Sequence, residues 1–104
     1  MVYTRPLLEV FKSSTFDAWF SRLRDPQAKV RIAARIDRLS LRNPGDVKPV
    51  GPGISEMRID YGPGYRVYFT QRGPIVIVIL CGGDKRSQKA DIARAIEIAA
   101  SWKD

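Results

Sequence analysis

The chain has no histidine and one cysteine, Cys81. A catalytic thiol ordinarily works with a histidine partner, so the absence of histidine argues against cysteine nucleophile chemistry. It also argues against the common zinc and iron sites, because Cys81 and scattered carboxylates do not make a ligand set; no metal or other cofactor is expected. A lone cysteine cannot close an intramolecular bridge, and its position after the apolar run Ile75–Leu80 predicts burial. No segment approaches the ~18 apolar residues of a membrane helix. The first residues, MVYTRPLLEVFKSS, carry Glu9 and Lys12 inside their only apolar run, so they lack a signal-peptide core and predict a cytoplasmic protein. Repeats, low-complexity stretches and linker-like segments are absent too, which predicts one domain over residues 1–104.

What is present is an ordinary globular composition with a basic excess. Hydrophobic residues make up 44% and charged residues 28% of 104 residues, enough for a core without disulfides or metal. Eighteen Lys and Arg against 11 Asp and Glu give a net charge of +7, which points to a polyanion or an acidic protein as partner. A membrane surface fits less well, because no helical pattern shows a broad apolar face beyond what a core needs.

Residues 7–11, LLEVF, read as a first strand. Ser14 or Thr15 is placed to cap a short helix, with Asp17 near a capping-box position. Phe16, Trp19, Phe20 and Leu23 form its inner stripe. Asp25-Pro26 restarts a helix that runs to about Arg42, with Ala28, Ile32, Ile36 and Leu39 inside. Arg31, Arg35, Arg38 and Arg42 line one outer face of it, and Asn43-Pro44-Gly45 ends it. Val47–Val50 is a weak edge strand interrupted by Pro49. Ile54–Tyr61 and Tyr65–Thr70 make a hairpin, and Ile75–Leu80 a strand covered on both faces. After the loop Gly82–Arg86, Ser87 is positioned to cap a last helix that ends near Trp102, with Ile92, Ile96 and Ala99 inside. The order β-α-α-β-β-β-β-α predicts the α+β class, a small, mostly antiparallel sheet with helices on one face.

Alternation along the hairpin puts Met57, Ile59, Val67 and Phe69 on one face and Glu56, Arg58, Arg66 and Tyr68 on the other. A turn centred on Pro63 sets Arg58 opposite Tyr68 and Asp60 opposite Arg66, with the two arginines diagonal and within reach of one ligand. The plain reading is a solvated sheet face. The sharper one is a polar surface that grips phosphates, with two guanidinium forks and Tyr68 as a ring for a base to stack on. The helix stripe of Arg31, Arg35 and Arg38 is either a solvated face or a phosphate-attracting one. Lys85, Arg86 and Lys89 after the two glycines, with Lys48 on the edge strand, are further phosphate-binding candidates. The two-glycine loop matches neither the P-loop nor the dinucleotide fingerprint.

Taken together, the residues Phe16-x-x-Trp19-Phe20, Asn43-Pro44-Gly45-Asp46, the run GPGYRVYF at 62–69 and GGDK at 82–85 resemble the HigB-like addiction module killer proteins of the RelE/ParE toxin superfamily. The resemblance implies a RelE-like fold and a toxin held inactive by an antitoxin, commonly a helix-turn-helix protein, the two together binding operator DNA. Many members of that superfamily are metal-independent interferases that cut mRNA on the ribosome, the 2′-hydroxyl attacking the neighbouring phosphate. By the same resemblance Arg66 stabilises the transition state, while Arg58 and Lys85 hold the phosphate or assist proton transfer. RelE carries a tyrosine at the start of its last helix where this chain has Ala90, Asp91 and Ile92, so either Tyr68 or Asp91 takes that role. Two other readings stay open: a ParE-like inhibitor of DNA gyrase, and a non-catalytic basic protein that only binds its partner or nucleic acid.

Overall fold

The computed structural model describes residues 7–103. The first six residues, with nearly half of the stretch read for a signal peptide, and Asp104 lie outside them. Strand β1 (Glu9–Lys12) leads into helices α1 (Ser14–Arg22) and α2 (Pro26–Ser40). Strands β2 (Val47–Gly51), β3 (Ile54–Ile59), β4 (Tyr65–Arg72) and β5 (Val76–Asp84) follow. A single 3-10 turn, Lys85–Ser87, then opens helix α3 (Gln88–Ser101). The strands form one five-stranded sheet in the order β1-β5-β4-β3-β2, antiparallel except where β1 runs parallel to β5. The α+β class and the element order are as the sequence predicts.

Local signals explain most boundaries. Ser13, rather than Ser14 or Thr15, caps α1: its hydroxyl accepts from Phe16 N at 3.0 Å and donates to the Leu80 carbonyl, tying the helix start to β5. Asp25 caps α2 through Gln27 N and Ala28 N, with Pro26 at the first helical position. That helix stops in a Schellman geometry, Asn43 N–H reaching the Arg38 carbonyl at 2.8 Å while Arg42 takes the left-handed φ of 65° usually left to glycine. Ser87 makes no side-chain cap bond to α3. Asp84 instead caps the 3-10 turn through Arg86 N, and Ser87 closes a capping box with it.

The helices cover both faces of the sheet, not one. Phe16, Ile32, Ile36 and Leu39 from α1 and α2 pack on Met57, Ile59, Val67, Phe69, Ile77 and Ile79. On the opposite face α3 packs Ala95, Ile92, Ile98 and Ala99 on Ile54, Tyr68, Val78, Leu80 and Cys81. A one-helix layer escapes sequence reading because the fully buried apolar residue of α3 is Ala95, too small to mark a stripe, whereas Ile96 is partly exposed.

A bulge in β5 reshapes the end of the sheet next to α3. Tyr68 pairs with Cys81 and Phe69 with Ile79, leaving Leu80 as the extra residue. Residues beyond it change parity, so Gly82 turns to α1 and Gly83 to α3. Both must lack a side chain. A methyl group on Gly82 would lie 2.4 Å from the Trp19 ring, and one on Gly83 1.9 Å from Asp91 Oδ2. Gly82 and Gly83 belong to the strand, not to a loop, and they let both helical layers close on it. Gly83→Ala is therefore expected to lower stability by about 2 kcal/mol through overpacking, read as a lower urea midpoint with an unchanged m-value. An unchanged midpoint would show that α3 does not approach β5 this closely.

Candidate phosphate-binding site

The hairpin between β3 and β4 pairs Ile59 with Tyr65, Arg58 with Arg66 and Glu56 with Tyr68. The alternation read from the sequence holds, but the register differs by two residues. The connection is the five residues 60–64, with Gly62 and Gly64 both at positive φ (58° and 81°), so the centre falls at Gly62 rather than Pro63. Arg58 and Arg66 are direct cross-strand partners rather than diagonal neighbours.

These arginines meet Lys85, the first residue after β5, in an open cleft of about 450 Å³ at the turn end of the sheet. Gly64 turns the chain beside them. A methyl group there would make only ordinary contacts, 3.5 Å from Lys85 Cβ and 3.6 Å from Arg66 Nη1. The position calls for glycine through its left-handed φ of 81° rather than through space. Asp46 and Asp60 also line the cleft; the sequence sets Asp60 on the hairpin's polar face and Asp46 in the Asn-Pro-Gly-Asp run, but marks neither as a site residue. The Arg66 side chain is 12% exposed and Arg58 36%. Arg66 Nε is buried without a hydrogen-bond partner among the described residues, and its Nη1 makes only long contacts to the Gly64 and Tyr65 carbonyls. The arrangement offers three cations to one anion in a partly desolvated site, where electrostatic attraction exceeds that at an open surface.

Tyr68 and Asp91 do not reach this cleft. The Tyr68 ring is 0% exposed beneath α3, and its hydroxyl donates to Glu56 Oε2 at 3.1 Å. Burial, and then the Glu56 carboxylate, push its phenol far above the ordinary tyrosine range, so it neither stacks on a base nor ionises. The expectation of an exposed ring is overturned because α3 covers the face that the sequence left to solvent. Asp91 is buried as well, accepting from Ser87 Oγ behind Gly83. Cys81 is buried as expected, and its thiol is pushed up to about 12 by burial, which leaves it inert.

Among the phosphate-binding candidates, Arg35 is committed elsewhere. Its guanidinium donates to the carbonyls of Arg58, Pro44 and Asp46, stapling α2 to β3 and to the loop before β2. Burial lowers its pKa from the ordinary arginine value. Arg31 and Arg38 remain exposed, lining a shallow groove that shares Ile59 and Asp60 with the cleft. Arg31 stacks on the Tyr61 ring at 4.6 Å, and Tyr61 donates to Asp25 at 2.7 Å, which holds that carboxyl below its usual range. Arg86 pairs with Asp84 at 3.2 Å and is 86% exposed, while Lys48 and Lys89 are exposed on β2 and α3. Among the described residues no cluster of three or more histidine, cysteine or carboxylate groups gathers to hold a metal ion, and no helix is long and apolar enough to cross a membrane.

Residues 18–103 match the model of the phage-derived Gp49-like proteins. The chain belongs to the Gp49-like family. It is 47% identical over 88 residues to an uncharacterized protein of Haemophilus influenzae, spanning 85% of this chain and 89% of that one. Its fold is that of the E. coli toxin RelE, seen in the free state of a double arginine-to-alanine variant: the TM-score is 0.71 over 88% of this chain and 96% of the other, at 13% identity. The family match begins inside α1 and takes in the whole hairpin, both β5 glycines and Lys85.

The different commitments of the α2 arginines are measurable. Arg35→Ala is expected to cost about 2 kcal/mol of folding stability, because charged donors to carbonyls are lost, whereas Arg38→Ala stays within about 0.5 kcal/mol. Equal effects in urea unfolding would dissolve the distinction.

Proposed function

We propose that this Gp49-like protein is the toxin of a type II toxin–antitoxin pair and acts as a metal-independent, ribosome-dependent mRNA interferase of the HigB-like group. The observation that carries the reading is the convergence of Arg58, Arg66 and Lys85 in one cleft. The family match and the RelE fold support the toxin assignment.

In this reading the cleft takes one phosphodiester of a single-stranded message. The 2′-hydroxyl passes its proton to solvent water as its oxygen attacks the adjacent phosphorus, and the bond from phosphorus to the 5′-oxygen breaks, leaving a 2′,3′-cyclic phosphate and a 5′-hydroxyl. Arg66, the more buried guanidinium, and Arg58 stabilise the charge that builds on the equatorial oxygens; one such donor is commonly worth about 3–4 kcal/mol. The Lys85 ammonium is the proton donor to the departing 5′-oxygen, and Lys85 is reprotonated from solvent after the turnover. Tyr68 and Asp91 have no direct part, since neither reaches the cleft. Arg31 and Arg38 extend a cationic track from it for the flanking backbone, with Lys48, Arg86 and Lys89 as outer contacts. The partner that silences the toxin is an antitoxin, a helix-turn-helix protein whose complex with the toxin binds operator DNA, and the site of action is the cytoplasm.

The test is a reporter mRNA in a bacterial translation extract, with cuts mapped by primer extension for wild type and Arg66→Ala. Ribosome-dependent cuts that fall about 100-fold with Arg66→Ala are expected. Intact message with undisturbed translation overturns the proposal, and loss of gyrase supercoiling activity in its place would install the ParE-like reading.

A further inference from the structure

Opposed arginines on neighbouring strands repel, and cross-strand like charges are destabilising. Here the opposition is direct, Arg58 against Arg66, at the edge of a partly desolvated cleft. The side chain that makes it tolerable is Glu56. It is 0% exposed, sits two residues before Arg58 on the same sheet face, and faces Tyr68 across the hairpin. Its two oxygens have different partners. Oε1 lies 3.3 Å from Arg58 Nε and 3.6 Å from Arg66 Nε. Oε2 accepts from the Tyr68 hydroxyl at 3.1 Å and from Gln88 Nε2, the first residue of α3, at 2.6 Å. The neutral donors fix the carboxylate from behind, and its remaining oxygen is turned to both cations.

We propose that Glu56 is the positioning residue of the cleft: its carboxylate sets the spacing of the Arg58 and Arg66 guanidiniums and cancels one of their two charges. The inference rests on the phosphodiester reading above and deepens it. A carboxylate buried this fully is costly unless paired, and a bare pair of arginines would hold any phosphate strongly and loosely oriented. With Glu56 in place the two arginines together carry one net positive charge instead of two. The Nη groups, rather than Nε, are left to meet its oxygens. Binding strength is thereby exchanged for fixed geometry, which favours the transition state over the bound message.

Glu56→Gln tests this, because it keeps the volume and an acceptor for Tyr68 but removes the charge. The expected result is a split: kcat for ribosome-dependent cleavage falls about 100-fold, as displaced catalytic groups do. Affinity for a non-cleavable 2′-O-methyl RNA stays equal or rises, with a steeper dependence on salt. A merely structural role would lower the melting temperature and reduce kcat and RNA affinity together, and that outcome overturns the proposal. A second measurement uses the wild type alone and needs no cleavage. In NMR hydrogen exchange, the Nε–H group of Arg58, which donates to Glu56 from a side chain 36% exposed, should exchange at least about tenfold more slowly than those of the exposed Arg31 and Arg38. Equal exchange overturns the positioning role even if the variant does not fold. Slow exchange together with intact message supports it while removing the interferase reading.

Discussion

Two guanidinium groups that share one buried carboxylate constrain everything around them. Arg58 and Arg66 occupy opposite positions of an antiparallel pair, and Glu56 is sealed beneath them. An unexposed carboxylate needs donors on every side, so its strand partner must carry a hydroxyl, which Tyr68 supplies, and the covering helix must begin with a donor, which Gln88 supplies. For Gln88 to arrive there, α3 has to start close against β5. That closeness requires Gly83, and the bulge at Leu80 brings Gly83 to the correct face. Asp84 then turns the chain from strand to helix through its capping box. The two-glycine sequence is thus the consequence of packing a helix start over a charged cluster.

The other side of the sheet supplies rigidity. Phe16, Ile32, Ile36 and Leu39 cover the apolar halves of β3, β4 and β5, and Trp19 fills the space left by Gly82. With both faces occupied, the sheet opens to solvent at its turn end, where Gly62 and Gly64 present no side chains. Cross-strand spacing there is set by backbone hydrogen bonds, so the distance between the two arginines is inherited from the sheet rather than from flexible side chains. Arg35 adds to this from behind by bonding the Arg58 carbonyl itself. Its pinning of the Pro44 and Asp46 carbonyls also fixes the loop that forms the far wall of the cleft.

Much of this was legible in the sequence, because alternation and helical periodicity are strong signals. The element order, the apolar face of the hairpin and the inner stripes of α1 and α2 follow from them directly. Register did not follow, since a Gly-Pro-Gly turn is compatible with more than one centre and only the actual φ values of Gly62 and Gly64 choose. A shift of two residues preserves parity, so alternation assigns each side chain to its face but not to its cross-strand partner. Tyr68 and Glu56 read as solvent-facing because their partners come from α3, distant in sequence and too poor in large apolar residues to announce a second layer. Arg35 shares its periodicity with Arg31 and Arg38, yet it alone lies within reach of three carbonyls, which no spacing rule reveals.

The +7 net charge therefore does not by itself locate a site. Cations on this surface differ in how much of their charge is already committed and how much water surrounds them. Arg86 is paired with Asp84 in full solvent, where screening limits it to a weak outer contact. Arg35 is spent on carbonyls. Arg66 is different: it is nearly buried, its ion-pair partner Glu56 is shared with Arg58, and its Nε lacks a hydrogen bond among the described residues. A guanidinium in that state has already lost most of its hydration, so an arriving anion displaces little water and meets a stronger field than at any exposed lysine. Desolvation and shared compensation, more than the number of positive charges, set the turn end of this sheet apart from the rest of the basic surface.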